Sequence, residues 1–428
     1  MFTIIFITLV VLLFGGISIY IALSAPAFLM IWLKGVPFVV FIQQMISGID
    51  KFALMAVPFF ILAANIMGKG GMSKRILLIA NLLVGKYYGG TAITTVLACM
   101  FFGALSGSSP ATVIAIGALT FPALIEAGYG RKFSLGLIMS ASALAIIIPP
   151  SITMIVYGSV TGTSVGALFL GGIGPGILLG LLLMIYSVLY ARKHNIRETT
   201  SRPWSEVKGE VLQSLWALGV PVIILGGIYG GVFTPTESAT VSCIYAIIVG
   251  MFVYRELSFR DVLHTCVDSA VTTAQIMIII SAAAVLSWTF TIGQLPVLID
   301  QLMTNIPLTY TVVTLILIFI MVIAGMFMDA SAYILLFASL FLPVTASVGM
   351  NPVFLGILMT ICGGLGMFSP PFGLNIFVSI SAFKAPFNEL ARATVPFLVI
   401  FLIGILLIAF VPDITMYLPT RAYGTNFM

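Results

Sequence analysis

Four short segments interrupt an otherwise apolar chain, and their residue types suit ion binding. Two are polar, SGSSPAT (residues 106–112) and MDAS (328–331), and two contain adjacent prolines, IPPSIT (148–153) and FSPPFGLN (368–375). A proline inside a helix removes a backbone hydrogen bond and frees a carbonyl oxygen. Free carbonyls with Ser, Thr and Asp oxygens suit a hard cation such as Na⁺, and helix amino termini suit a carboxylate. We call these segments tip 1, tip 2, break 1 and break 2, in that order.

The two halves of the chain repeat one pattern. An offset of 221 residues separates Pro149-Pro150 from Pro370-Pro371 and, without gaps, also relates four further pairs: Ala111 and Ala332, Pro122 and Pro343, Gly128 and Gly349, Phe133 and Phe354. Each copy supplies one tip and one break, which predicts at least one sodium site per repeat and at least two in all. Paired apolar segments interrupted by Gly and Pro indicate the binding site of a membrane carrier.

Asp329 is the only carboxylate in either tip, and its offset partner is Ser108. An acidic group at membrane depth is functional by default, so we place Asp329 in or beside an ion site. The alternative is that Asp329 caps a helix start. Helix capping is also the alternative for the hydroxyls of the tips. For the polar residues of the breaks, the alternative is a hydrogen bond to a backbone carbonyl that the proline has freed. Glu237 in FTPTES is interpreted as a capping residue and Asp268 as a boundary residue.

The composition is that of an integral membrane protein. Charged residues make up 7% of 428 residues, whereas a soluble domain carries about a quarter. At roughly 20 apolar residues per span, the chain has room for about ten helices plus shorter re-entrant pieces. We therefore predict an all-α polytopic protein in contact with lipid, and long helices exclude an outer-membrane barrel. The net charge of +5 carries information on orientation and does not indicate nucleic-acid binding.

Several activities lack the residues they need. The four cysteines are scattered without metal spacing, and the two histidines lie in or beside charged loops. An aspartyl protease or phosphatase requires paired carboxylates or a nucleophile–base pair, but Asp329 is matched by a serine. No GxxxxGK[ST] loop is present, so energy must come from an ion gradient or a partner. We predict no enzymatic activity and no organic cofactor. A passive channel remains an alternative, although it does not need two inverted hairpins.

Basic residues predict the topology. The cluster from Arg192 to Lys208 marks a cytoplasmic connection, and Lys86 with Arg131 and Lys132 places both ends of the first hairpin there as well. The equivalent loops of the second half, TNIPLTY and ASVGMNP, carry no Lys or Arg, so the second hairpin enters from outside. The repeats are therefore inverted. Counting back through Lys69, Lys74, Arg75 and Lys34 as cytoplasmic places the amino terminus outside, and the carboxy terminus also falls outside.

These observations define the predicted organisation. Repeat 1 covers residues 1–190, with a hairpin at about 87–128 and a broken helix at about 132–160. A basic connector (191–208) leads to repeat 2 (209–428), with a hairpin at about 308–349 and a broken helix at about 352–381. Amphipathic arms at the membrane surface are expected before each hairpin, in GKGGMSKRILLIANLLVG and IGQLPVLIDQLMTNIP.

The longer motifs resemble the large membrane subunit of the tripartite ATP-independent periplasmic (TRAP) transporters. The similarity runs from about residue 50 to 380 and is carried by five stretches: ALMAVPFFILAANIMGKGGMSKR, FFGALSGSSPATVIAIGALTFPALIEAGY, AIIIPPSITMIVYG, GGIYGGVFTPTESA and GLGMFSPPFGLNIFV. The resemblance implies an elevator-type fold with a scaffold and a transport domain. It also implies sodium-driven import of an organic acid across the bacterial inner membrane, with sialic acid favoured over C4-dicarboxylates. The alternative is a stand-alone sodium–dicarboxylate symporter.

The resemblance also implies partners and site residues. A periplasmic substrate-binding protein delivers the substrate, and a separate small four-helix membrane subunit enlarges the scaffold. The sodium positions of the family fall on Ser106, Ser108, Pro149, Thr153, Gly325, Asp329, Gly366 and Ser369. The substrate is expected at neighbouring residues of the tips and breaks, namely Ser109, Thr112, Pro150, Ser151, Ser331, Pro371 and Asn375.

Overall fold

The computed structural model describes residues 7–9, 11, 12, 15, 17–84, 88–196, 204–294 and 309–424. Every regular element in these residues is helical. In the first half the helices are α1 (Ile19–Leu33), α2 (Phe38–Ile49), α3 (Ala56–Lys69), α4 (Met72–Val84), α5 (Gly90–Ser106), α6 (Ser109–Glu126), α7 (Arg131–Ser142), α8 (Ile152–Thr161) and α9 (Val165–Lys193). Short 3₁₀ turns precede α3 (Phe52–Met55) and follow α7 (Ala143–Ile146).

The second half contains a hairpin followed by a broken helix, in the same order as the first half. Its helices are α10 (Trp204–Pro221), α11 (Pro235–Ile248), α12 (Phe259–Ile292), α13 (Tyr310–Phe327), α14 (Ala330–Ser347), α15 (Pro352–Met367), α16 (Leu374–Phe383), α17 (Phe387–Phe410) and α18 (Asp413–Tyr423). Seven helical segments of the described residues are long and apolar enough to cross a membrane. The all-α polytopic fold with two inverted repeats, each containing a hairpin and a proline-broken helix, is confirmed.

Helix ends follow local capping chemistry. Thr234 begins α11 with a capping box: its amide and hydroxyl both donate to Glu237 Oε2, at 2.8 and 2.9 Å, and its hydroxyl accepts from the Glu237 amide. The structural interpretation of Glu237 is thereby confirmed. Ser258 and Asp261 form a second capping box at the start of α12. These caps satisfy amides that the first helical turn leaves without partners.

The helices pack in two groups. In the first group, α1, α2 and α3 contact α12, and α11 packs on α3. The second group consists of α5–α9 and α13–α18, where each hairpin packs on the broken helix of its own repeat. The groups touch where α12 meets α14 and where α3 meets α5, while α4 packs on α5 and α10.

Two contacts at opposite ends of α12 correct one step of the predicted topology. Near the start of α12, Asp268 pairs with Lys69 at 3.0 Å, as expected of a boundary residue. At the far end, the Lys34 ammonium donates to the Ile292 carbonyl at 2.6 Å. At 1.5 Å per residue, the 24 residues between these points span about 36 Å, the full thickness of the apolar layer. Lys34 and Lys69 therefore lie on opposite sides, and the cytoplasmic placement of Lys34 is wrong.

The error has a physical cause. The prediction treated α2 as a span, but its contacts with α12 lie around Ile280 to Ala284, in the second half of that helix. Lys51 donates to the Ser159 carbonyl, near the end of α8, at 2.7 Å. Between the two lysines, α2 packs on the last third of α12, where Ser281 donates to the Met45 carbonyl. A single lysine could not reveal that this helix has only twelve residues and packs along α12.

The carboxy-terminal helices α17 and α18 run antiparallel to α9 along its length. The Phe397 ring lies 5.3 Å from that of Tyr186, Gly404 packs on Leu179, and the Tyr423 hydroxyl lies beside Gly166. The end of α18 therefore lies at the Val165 end of α9, opposite the basic residues Arg192 and Lys193. The first predicted arm contains α4, whereas most of the second arm lies outside the described residues.

Candidate functional site

Tip 1 is a tight turn held by its own hydroxyls. Gly107 ends α5 with φ +56°, a left-handed conformation that favours glycine. The Ser106 hydroxyl lies 3.2 Å from that of Thr112, and Thr112 Oγ1 donates to the Ser108 carbonyl at 2.8 Å. Ser106 Oγ also accepts from the Ser108 amide at 3.3 Å. These contacts order the tip but leave the hydroxyl of Ser108 without a hydrogen bond to the described residues.

Break 1 lies directly against tip 1. A Cβ atom at Gly107 would stand 3.0 Å from the Pro150 carbonyl oxygen and 3.4 Å from the Ile152 amide. Thr153, next in the chain, is 2% exposed, and its hydroxyl makes no hydrogen bond within the described residues. The structure thus brings the predicted sodium residues of repeat 1 together, with two hydroxyls, those of Ser108 and Thr153, available to a ligand.

Ser151 and Ser369 follow the alternative stated for break residues, satisfying loose carbonyls. Ser151 donates to the Ile146 carbonyl at 2.5 Å and accepts from the Met154 amide, so that it caps α8. Ser369 donates to the Leu365 carbonyl at 2.7 Å. Their hydroxyls stabilise helix ends at the two breaks. Binding of substrate by Ser151 and of sodium by Ser369 remain predictions.

Tip 2 centres on the half-buried carboxylate of Asp329. This residue is the N-cap of α14, and Oδ2 accepts from the Ser331 amide at 3.0 Å. The capping alternative is therefore observed. It is compatible with an ion site, because a carboxylate has more acceptor positions than one amide uses.

Break 2 meets α13 at two glycines. A Cβ at Gly366 would stand 2.2 Å from the Gly325 carbonyl oxygen, so only glycine allows this approach. Gly325 lies in the last turn of α13, where carbonyl groups lack helical partners. The Gly366 carbonyl accepts from the Ser369 amide at 3.1 Å. The predicted sodium residues Gly325, Gly366 and Ser369 are thus neighbours.

The two breaks differ in exposure. Pro149, Pro150 and Ser151 are buried, whereas Pro371 is exposed and its neighbour Phe372 is 54% exposed. Phe372 contacts Phe327 at the end of α13, with ring centroids 5.8 Å apart. Of the predicted substrate residues, Pro371 is therefore exposed, whereas Pro150 and Ser151 are buried.

Two predicted substrate residues are bonded to each other. The Ser109 hydroxyl lies 2.9 Å from Asn375 Oδ1 and 2.7 Å from Nδ2, and both residues are fully buried. The Asn375 amide also donates to the Met139 carbonyl at 2.8 Å. Sequence reasoning missed Met139, because a main-chain acceptor inside an apolar helix leaves no trace in residue type.

A second feature was missed. A cavity of about 210 Å³ lies between the loop after α8 and the start of α15, lined by Thr161, Gly162, Thr163, Leu342, Asn351, Pro352 and Val353. Beside it, the Tyr157 hydroxyl donates to the Pro352 carbonyl at 2.7 Å, which joins the two repeats. The described residues contain no cluster of three His, Cys, Asp or Glu side chains able to hold a metal.

Comparisons with known proteins agree with this architecture. The family profile described as "Tripartite ATP-independent periplasmic transporter, DctM component" matches residues 6–414. The chain is 40% identical to the ectoine/5-hydroxyectoine TRAP transporter large permease protein UehC of Ruegeria pomeroyi, covering 98% of this chain and 99% of that one. It is 39% identical to the C4-dicarboxylate TRAP transporter large permease protein DctM of Pseudomonas aeruginosa, covering 86% and 87%.

A solved structure has the same fold. The YdaH transporter of Alcanivorax borkumensis aligns with a TM-score of 0.63 at 14% identity, over 86% of this chain and 87% of that one. At this identity the likeness concerns the fold alone. The profile match and the relatives carry the assignment: the chain belongs to the DctM component family of the tripartite ATP-independent periplasmic transporters, whose members are multi-pass permease subunits and not enzymes.

Proposed function

We propose that this permease uses a sodium gradient to import a small organic acid. The observation that carries the proposal is the oxygen cluster of repeat 1. The hydroxyls of Ser108 and Thr153 have no hydrogen bond within the described residues, and the Pro150 carbonyl lies beside the same tip. Hydroxyl and carbonyl oxygens that no protein donor occupies are available as ligands for a hard cation. Asp329, Gly325 and Gly366 supply the second proposed site.

The organic acid is bound without basic side chains. Neither the tips nor the breaks contain Lys or Arg, so a carboxylate is held by backbone amides, hydroxyls and bound sodium. The names of the two relatives give ectoines and C4-dicarboxylates. Sialic acid, favoured from the sequence, stays a prediction and is to be compared with both classes.

An elevator motion is proposed for the transport step. It is supported by the two packing groups, since the second contains both tips and both breaks while the first contains neither. In this proposal the first group is the scaffold and the second group is the transport domain. One polar contact between them joins Lys51 Nζ to the Ser159 carbonyl at 2.7 Å. The second group can therefore carry the whole site as one unit.

Partners and location follow from the family. TRAP large permeases work with a periplasmic binding protein and a small membrane subunit. We propose that the same two partners, the latter a four-helix membrane subunit, assemble with this chain in the bacterial inner membrane. The carboxy terminus is proposed to be periplasmic. The periplasmic placement of the amino terminus depended on Lys34 as a cytoplasmic residue, so the corrected position of Lys34 removes its support.

Reconstitution tests the function. The permease and its small subunit are placed in sodium-free vesicles, and uptake of labelled sialic acid, C4-dicarboxylate and ectoine is measured with an inward sodium gradient. We expect uptake of one class only when both the gradient and the binding protein are present. Uptake without the binding protein indicates the stand-alone symporter instead. Equal uptake with potassium in place of sodium refutes sodium coupling.

Thiol labelling tests the topology. We expect Lys34→Cys and Asn351→Cys to react with an impermeant reagent from the periplasmic side, and Lys132→Cys only from the cytoplasmic side. The expectation for Lys34 follows from its contact at the Ile292 end of α12. Labelling of Asn351→Cys and Lys132→Cys from one side contradicts inverted repeats. Labelling of Lys34→Cys from the cytoplasm contradicts the corrected position.

A further inference from the structure

Asn375 joins three elements through one buried side chain. It is the second residue of α16, in repeat 2, whereas its partners Ser109 and Met139 belong to tip 1 and α7 of repeat 1. Both amide hydrogens have protein acceptors, the Met139 carbonyl at 2.8 Å and the Ser109 hydroxyl at 2.7 Å. The Met139 carbonyl fixes the orientation of the Asn375 side-chain amide, because the flipped orientation would place Oδ1 against the Met139 oxygen, and neither can donate. Asn375 thus has no donor left for a substrate.

The bond to Met139 satisfies a carbonyl that the helix break has freed. In an α-helix this oxygen accepts from the amide of Ala143, four residues later. Here α7 gives way to a 3₁₀ turn, and the Ala143 amide donates to Ser140 and Ala141 instead. The Asn375 amide takes the vacated position. An unsatisfied carbonyl at this depth would be costly, so the contact stabilises the start of the broken region.

The pseudo-symmetry of the chain is broken at this contact. At the offset of 221 residues, Ser109 corresponds to Ala330 and Asn375 corresponds to Met154. Neither alanine nor methionine can reproduce the amide–hydroxyl bond. Ala330 instead packs closely on Gly363, at 2.9 Å from an added Cβ atom there. Within the described residues, such a bond between a hairpin and the other repeat is therefore seen for the hairpin of repeat 1 and not for that of repeat 2.

We propose that Asn375 is a positioning residue that holds tip 1 through Ser109 and thereby sets the geometry of the repeat 1 sodium site, without touching the substrate. Ser109 lies between Ser108 and Thr112, whose contacts shape the tip. Among the described residues, the hydrogen bonds between tip 1 and repeat 2 are those of Ser109 with Asn375, so losing them leaves only packing contacts there. The expected effect on sodium binding rests on the proposed function. The role of Asn375 in holding tip 1 in place does not.

Hydrogen–deuterium exchange of tip 1 tests the holding directly. In sodium-free detergent solution, Asn375→Leu is expected to raise exchange of the amides in residues 106–112 by about 2- to 12-fold, the range for one hydrogen bond. Asn65→Leu is the matched control, because Asn65 donates to Ser269 at 2.9 Å far from the tips. It should leave exchange at tip 1 unchanged. Unchanged exchange in Asn375→Leu overturns the proposal.

Sodium titration tests the consequence. The sodium concentration that half-saturates thermal stabilisation is expected to rise about 2- to 12-fold in Asn375→Leu, with little change in substrate half-saturation at high sodium. The opposite result is a higher half-saturating substrate concentration with unchanged sodium affinity. It means that Asn375 contacts the substrate, and it overturns the proposal. If the wild type shows no sodium effect, sodium coupling fails, and the exchange comparison still decides the role of the pin.

Ser109→Ala provides a second variant in case Asn375→Leu does not fold. Alanine occupies the equivalent position 330 of repeat 2, so the substitution fits the local backbone. We expect the same direction of change as in Asn375→Leu, and no larger effect in the double variant, because both changes remove one network. Additive effects of the two substitutions contradict a shared pin.

Discussion

The two halves of the site have the same backbone plan but different side chains. In repeat 1 the side-chain oxygens of the tip are hydroxyls, and the neighbouring break 1 is buried. Tip 2 offers a single carboxylate, Asp329, and break 2 is partly open, with Phe372 54% exposed where repeat 1 has the buried Ser151. A hydrogen-bonded pin from Asn375 reaches the first hairpin, and its equivalent is absent from the described contacts of the second.

What the halves share lies in the main chain. In repeat 1, a Cβ at Gly103 would stand 2.6 Å from the Cα of Ala145, and in repeat 2 the corresponding approach brings Gly325 against Gly366. In both, the first helix of the hairpin packs backbone to backbone on the broken helix. The two repeats therefore share the backbone positions of their free carbonyls. They differ in side chains: the site is buried in repeat 1 and partly exposed in repeat 2.

The strongest test of this division replaces the only carboxylate of the tips. Asp329→Asn removes the charge but keeps the capping oxygen that accepts from the Ser331 amide. A charged ligand contributes about 2–3 kcal/mol, so we expect sodium affinity measured by uptake to fall roughly 30- to 150-fold in a folded protein. Asp268→Asn, which removes a carboxylate from an exposed ion pair, is the control. Wild-type sodium dependence in Asp329→Asn removes this residue from the ion site.

The second test concerns the shared backbone approach. Gly366→Ala introduces a Cβ 2.2 Å from the Gly325 carbonyl oxygen, and backbone cannot move away as a side chain can. We expect a loss of about 1–3 kcal/mol, measured as a lower unfolding temperature in detergent. Gly364→Ala is the matched control, since its nearest atom, at 3.2 Å, is the end of the Ile147 side chain. Equal unfolding temperatures of the two variants contradict the close approach.

The third test asks whether the hydroxyls of repeat 1 bind the ion. Thr153→Val keeps the shape of the side chain and removes a hydroxyl that has no hydrogen bond within the described residues. We expect sodium affinity to fall by about 2- to 12-fold and the unfolding temperature without sodium to change little. In the control, Thr120→Val, the lost hydroxyl bonds only to the Ile116 carbonyl of its own helix. A lower unfolding temperature with unchanged sodium affinity assigns Thr153 a structural role.

Much of the fold was predictable because it depends on local chemistry. Proline pairs break helices wherever they lie, so the two breaks and their offset were visible in the residues. Glu237 was predictable for the same reason, since its capping partner Thr234 is three residues away. The error at Lys34 has the opposite origin. Its partner, Ile292, is 258 residues distant, and nothing near Lys34 shows on which side its helix ends.

The sequence by itself determined the membrane class, the inverted duplication and the set of oxygen-bearing residues, because composition, proline positions and loop charge act locally. Tertiary structure decided how those oxygens are used. It turned Ser151 into a cap, bonded Ser109 to Asn375, and left the hydroxyls of Ser108 and Thr153 available to an ion. The physical reason is that a hydroxyl or amide takes whichever partner lies within about 3 Å, and only the packing of distant helices sets that distance.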